Sequence, residues 1–195
     1  MKDIKHILLR FGKLRPAAEA IDYIKLIYQN EFGCGHLNPN LEISLANLKG
    51  EWDSLNGMRQ ALPYEPIGNG LCRLNLGALK QDDLPLAARV FTMSAQLKRG
   101  NEDSFRQKLY LLTDMAFQGE LPLSGAEVAS AVKEYLAAGI RPVHHSENYQ
   151  KRYVPHYRVV EMPYAVFFPA LREVEKLLQT GERAVFAIDG RCASG

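Results

Sequence analysis

Gly190 and Gly195 are separated by four residues in the run Asp189-Gly190-Arg191-Cys192-Ala193-Ser194-Gly195, directly after the apolar stretch Ala184-Val185-Phe186-Ala187-Ile188. That order suits the chemistry of holding phosphate. A phosphate-cradling loop needs a buried strand, then glycines that let successive backbone amides curl around phosphate oxygens. A lysine for the terminal phosphates and a hydroxyl for magnesium follow. Gly190, Arg191, Cys192, Ala193, Ser194 and Gly195 supply the first half of such a loop, and the lysine would come next. Without lysine and hydroxyl, this chain alone is expected to transfer no phosphoryl group. The spacing by itself also fits an ordinary tail.

A second constellation lies at 144–158. His144, His145 and His156 can titrate near neutrality or bind metal. Arg152 and Arg158 can grip an anion, and Tyr149, Tyr153 and Tyr157 offer hydroxyls and stacking faces. If Ser146–Tyr153 is helical, Tyr149 and Tyr153 share a face and Glu147 sits near Lys151. His156 and Arg158 then point to one side of the following strand. Packed tyrosines and a surface ion pair would explain the same residues without a ligand. A small polar or phosphorylated ligand is the functional alternative, with Arg73 as a further candidate contact. Cys34 and His36, flanked by glycines, form a third group. They are two potential metal ligands, or a thiol beside a base, although paired Cys-x-x-Cys spacing is missing. A buried cysteine at a helix stop explains them equally well.

The run Phe186–Gly195 resembles the loop opening of the uridine kinase and phosphoribulokinase-like family of P-loop kinases. The stretch from Val143-His144-His145-Ser146-Glu147 through Tyr157-Arg158-Val159-Val160 resembles a region ahead of that loop in bacterial members. The resemblance implies that residues 1–181 are a mostly helical upstream domain and that 182–195 begin a kinase domain. ATP and magnesium would then serve the longer protein, with no cofactor in this chain and the downstream kinase domain as its partner. Two other classes remain open. One is a free-standing ligand-binding or protein-interaction module. The other is a metal-dependent hydrolase using Cys34, His36, His144 and His145.

The elements that must position these groups are mainly helical. Apolar residues at helical spacing predict helices over 17–32, 41–52, 83–98, 102–117, 125–138 and 169–178. Asn40 and Ser124 are placed as N-caps, and Gly33 and Gly181 as stops. Gly68-Asn69-Gly70 between Tyr64–Ile67 and Leu71–Leu76 predicts a hairpin, with Arg73 and Asn75 alternating outward, toward either the His144 region or solvent. Val159–Met162 predicts a further strand. Residues 184–188 are expected either to join a small mixed sheet through a right-handed crossover or to pair between chains in a homodimer. The fold class expected is α+β, predominantly helical, with about six helices and a small sheet.

Composition sets the outer limits. The 195 residues are 47% hydrophobic and 24% charged, which is enough apolar matter for a core and excludes a disordered chain. A net charge of +2 argues against nucleic-acid binding through a broad basic surface. There is no apolar stretch of membrane-spanning length and no secretory leader pattern. With 3 scattered cysteines, a cytoplasmic protein is expected.

Overall fold

A computed structural model describes residues 2–37, 40–58, 62–97, 99–181, 185 and 187. Helix α1 (Lys2–Leu14) buries Ile4, Ile7, Leu8 and Phe11, the spacing of one helical stripe. Helix α2 (Ala20–Phe32) runs through the centre. Tyr23, Ile24, Leu26 and Ile27 are buried on it, and it packs against α5 (Glu102–Phe117), α6 (Gly125–Ala137) and β1 (Tyr64–Gly68). It stops at Gly33, whose φ of 65° is one that a side chain would resist. Helix α3 (Leu41–Ser54) packs on α4 (Leu84–Gln96).

The caps behave as their residue types predict. Asn40 Oδ1 accepts the Ile43 amide at 2.9 Å, and Asn101 Oδ1 accepts the Asp103 and Ser104 amides at 2.8 and 3.0 Å. Ser124 Oγ accepts from the Glu127 amide at 3.5 Å.

The sheet is antiparallel, in the order β1, β2 (Leu71–Asn75), β3 (Tyr157–Glu161). The β1–β2 turn is the expected one, with Gly68, Asn69 and Gly70 all at positive φ. A short helix α7 (Glu147–Tyr153) leads into β3. Then α8 (Met162–Val166) and α9 (Phe168–Gln179) follow.

The mostly helical α+β class is as expected, but the described residues hold nine α-helices rather than about six. The additions are α1, α7 and the five-residue α8. Helix α2 also begins at Ala20, because Glu19 is its extended N-cap. Of the two sides left open for Arg73, the structure takes the one toward the His144 segment: it is 1% exposed and lies against Tyr157. Alternation separates wet from dry only where one sheet face meets water. Here β2 is the central strand and is covered on both faces. All three described strands are antiparallel, so they form no mixed sheet among themselves. Of the expected 184–188 strand only Val185 and Ala187 are described, and neither lies in a strand. The glycine loop 190–195 and the proposed boundary after 181 fall outside the described residues. No helix among the described residues is long and apolar enough to cross a membrane.

Candidate functional site

Asp22 is fully buried at the first turn of α2. Its carboxylate accepts from the Glu19 amide (2.9 Å), the Ser146 amide (3.0 Å), the Ser146 hydroxyl (2.8 Å) and His145 Nδ1 (2.7 Å). Ser146 is in turn the N-cap of α7, accepting the Tyr149 amide at 3.1 Å. One carboxylate thus serves the N-termini of two helices, where helix dipoles favour negative charge. Burial alone would raise the Asp22 pKa, but the bonds from His145, Glu19 and Ser146 outweigh it and hold the carboxyl below its usual value.

From Asp22 a chain of hydrogen bonds runs to the sheet. His145 Nε2 faces the Tyr157 hydroxyl at 2.7 Å. The Gln29 amide nitrogen donates to that hydroxyl oxygen at 3.2 Å, while Gln29 Oε1 accepts from Arg73 Nε (3.0 Å) and an Arg73 Nη (2.7 Å). Arginine can only donate, so Gln29 presents its oxygen to Arg73 and its nitrogen to Tyr157. With a neutral imidazole, Nδ1 carries its proton to Asp22 and Nε2 accepts from the Tyr157 hydroxyl, which also lies 3.5 Å from Gln29 Oε1. His145 is neutral in this arrangement. Burial pushes its pKa down to about 4, with Arg73 and Lys25 adding to the shift and Asp22 opposing it. A buried cation and a buried anion are thus joined through three neutral side chains.

Aromatic rings pack around this chain. The Tyr149 ring stacks on His145 at 4.0 Å and on Phe11 at 5.9 Å. The Arg73 guanidinium lies 4.6 Å from the Tyr157 ring centre and 5.7 Å from that of Phe11. One Arg73 terminal nitrogen is buried without a hydrogen-bond partner among the described residues. Glu65, the register partner of Arg73 across β1–β2, offsets its charge and is itself bound by both terminal nitrogens of Arg15, at 2.9 and 2.6 Å. Val154, the C-cap of α7, has φ 41° and ψ 64°. That is a strained conformation for a β-branched residue, and it turns the chain so that Tyr157 enters β3 beside Gln29.

Gln29 and Tyr157 also line a recess of about 90 Å³ between α2 and β3. Three basic residues line it, Lys25, His36 and Arg158, and among the described residues no carboxylate does. Lys25 Nζ donates to the Val143 carbonyl at 2.7 Å. Burial, reinforced by Arg73 and opposed by Asp22, brings its pKa down to about 8. Burial and the nearby Lys25 also lower that of His36, which favours the neutral ring. Arg158 pairs with Glu51 at 2.6 Å. Cys34 Sγ donates to the Val159 carbonyl at 3.1 Å, and burial raises its pKa to about 12, so the thiol is not an activated nucleophile. A larger cavity of about 340 Å³ between α4 and α9 has a different character. Lys80, Arg172 and Lys176 there face Asp82, Asp83 and Glu175, and Arg172 already pairs with Asp83 at 2.5 Å.

The structure brings together His145, Tyr149, Tyr153, Tyr157 and Arg73 of the residues singled out in the sequence. Tyr153 packs on Tyr149 at 4.9 Å, and its hydroxyl accepts the Ala17 amide at 3.0 Å. His156 and Arg158 share a side of the strand as expected, and both meet Glu51. Cys34, His36, Tyr157 and Arg158 line the same recess. His144, Glu147 and Arg152 are exposed and stand apart from it. Among the described residues, no three of His, Cys, Asp and Glu cluster as metal ligands would.

Asp22, Lys25, Gln29 and Glu51 did not stand out in the sequence. The one available signal was that 22, 25 and 29 repeat at helical spacing as a polar stripe. Comparison with protein-family models, curated proteins and solved structures gave no match to this chain.

Proposed function

We propose that this domain binds a small anionic ligand, a phosphate-bearing one first among them, in the recess between α2 and β3. The observation that carries the proposal is the recess lining, which among the described residues holds three basic side chains and no carboxylate, with Lys25 partly desolvated and bonded to a neutral carbonyl. His36 favours its neutral form and Arg158 is shared with Glu51, so Lys25 is the lining cation that meets no carboxylate among the described residues, and an anion supplies one. The volume suits a phosphoryl group with a few further atoms. Sites that enclose a whole drug-sized ligand occupy roughly 300–1,000 Å³. Tyr157 and Gln29, held by the chain from Asp22 to Arg73, give the recess a preset wall, so little ordering is left to binding.

In the wider protein we propose that this module stands upstream of a P-loop phosphotransferase of the uridine kinase type, in the cytoplasm. The supporting features are the Gly190–Gly195 spacing and the free buried thiols of Cys34 and Cys72. An in-frame Lys-Ser or Lys-Thr encoded directly after Gly195 is the test of that link, and any other continuation overturns it.

The recess itself is tested by titrating the protein with inorganic phosphate and pyrophosphate, following amide shifts by NMR and heat by calorimetry. Saturable binding with Kd about 1 mM or tighter is expected. Lys25→Met should weaken it at least about tenfold while leaving thermal stability unchanged or raised, since an unpaired desolvated ammonium is removed. Lys25→Arg should retain most of it. Absence of saturation, or equal binding by wild type and Lys25→Met, would overturn the proposal.

A further inference from the structure

Lys25 has the surroundings of a reactive amine as well as those of a counter-charge. Its Nζ is tethered by a single bond to the Val143 carbonyl, at the wall of a recess open to a small molecule. Among the described residues, no carboxylate lines that recess to fix it as an ammonium. Arg73 on one side disfavours protonation more than Asp22 on the other favours it. The second cation in the lining, Arg158, already pairs with Glu51 at 2.6 Å, and a ligand's phosphate would share that guanidinium. Cys34, the other nucleophile type present, is held protonated on a carbonyl, which leaves the amine as the recess nucleophile.

We propose that Lys25 captures the carbonyl group of a small phosphorylated aldehyde or ketone as an imine, with Arg158 holding the phosphate. This rests on the anionic-ligand reading above and adds the second functional group to it. The step is balanced without any redox partner. The Nζ lone pair attacks the carbonyl carbon, a C–N bond forms and the π pair moves to oxygen, which takes up a proton. The carbinolamine then loses that oxygen as water while nitrogen gives up its proton and closes the C=N bond. At pH 7.4 a lysine with a pKa of about 8 is about 20% free amine, against about 0.1% for an ordinary lysine, a gain on the order of a hundredfold in reactive species.

The experiment treats the whole chain with glycolaldehyde phosphate, or with uncharged glycolaldehyde, in the presence of cyanoborohydride. Peptide mass mapping then locates the reduced adduct. Lys151, 77% exposed on its side chain, is the internal reference. Lys25 should be labelled at least about tenfold faster than Lys151 by the phosphorylated aldehyde. Inorganic phosphate should slow that labelling, and it should follow an apparent pKa near 8. Lys25→Arg should abolish it. Labelling of Lys25 no faster than of Lys151, with phosphate binding intact, would overturn the imine proposal alone. Equal labelling of Lys25 by both aldehydes would overturn the anion requirement. The wild-type comparison with Lys151 stands even if the Lys25→Arg protein fails to fold.

Discussion

At the C-terminal end of α2, Lys108 donates to Asn30 Oδ1 and Glu31 Oε2, both at 2.5 Å. The Glu31 carboxylate also takes the Ser104 hydroxyl and the Asn101 amide, each at 2.9 Å, and Asn30 donates to the Ile67 carbonyl at 2.6 Å. Nearer the N-terminus of the same helix, Asp22, Lys25 and Gln29 point into a second buried polar cluster, and this one is left open. In the first cluster one cation meets one anion and the bonds close on themselves. In the second, Arg73 is offset by Glu65, while Lys25 stands at the wall of a recess with a carbonyl as its hydrogen-bond partner. Both clusters carry the desolvation cost of buried charge. Closed bonding makes the first a structural clasp between α2, α5 and the hairpin. Open bonding leaves the second with something to offer a ligand.

The largest effect should come from opening the clasp. Lys108→Met removes the cation from a pair whose side chains are only 10% and 6% exposed, leaving Glu31 charged and unpaired. A loss of about 3–5 kcal/mol in urea unfolding is expected. Phosphate binding by the folded fraction should be unchanged. A weakening of phosphate binding comparable to that of Lys25→Met would erase the distinction between the clusters.

Next in size is a pH effect from the open cluster. His145 is neutral in the folded protein down to about pH 4 but takes up a proton near 6.5 when unfolded. Between those values the unfolded state binds the extra proton, so stability falls as pH drops and returns as pH rises. The window is worth as much as about 3 kcal/mol. Asp22, held below its ordinary pKa, adds a further loss only at lower pH, as its carboxylate is protonated. Urea midpoints at pH 7 and pH 5 should differ clearly in wild type and much less in His145→Gln. An equal slope in both proteins would place the titration elsewhere.

Which parts of this were legible in the sequence follows from what each pattern can encode. Helices α3 to α6 were visible because apolar spacing and caps agree, as at Asn40 and Ser124. The hairpin was visible because Gly68-Asn69-Gly70 can adopt positive φ. Helix α1 was not, since Ile7-Leu8-Leu9 looks like a short run until Ile4 and Phe11 are added at helical spacing. The surroundings of Arg73 stayed open between the His144 segment and solvent because alternation cannot tell a strand with one wet face from a central strand covered on both. The site was half legible. His145, Tyr149, Tyr153 and Tyr157 announced themselves through the density of donors and rings in one segment. Their partners Asp22, Lys25 and Gln29 looked like the solvated face of an ordinary helix. Only the packing of α7 and β3 onto that face turns it inward.

Within the open cluster, Tyr157→Phe is the finer probe. It removes one hydroxyl, leaving His145 Nε2 without its donor and the Gln29 amide without its acceptor. About 1–3 kcal/mol should be lost. The pH slope assigned to His145 should persist, because the imidazole stays buried against Asp22. If the slope disappears instead, Tyr157 rather than burial is what keeps His145 neutral.

The smallest effects should fall on the part of α7 that the sequence made conspicuous. Glu147 and Lys151 face each other at 3.2 Å with side chains 87% and 77% exposed, and Arg152 is exposed beside them. Exposed pairs at this spacing contribute about 0.3–0.5 kcal/mol, screened further by salt. Glu147→Gln and Arg152→Gln should each change stability by less than about 0.5 kcal/mol. Neither should change phosphate affinity by more than about twofold, because solvent screening falls between them and the recess. Buried Tyr149, two residues from Glu147, stacks on His145 instead, so the inner and outer faces of one short helix are predicted to separate cleanly. A tenfold loss of phosphate binding in Arg152→Gln would move the anion site out of the recess and onto the α7 surface.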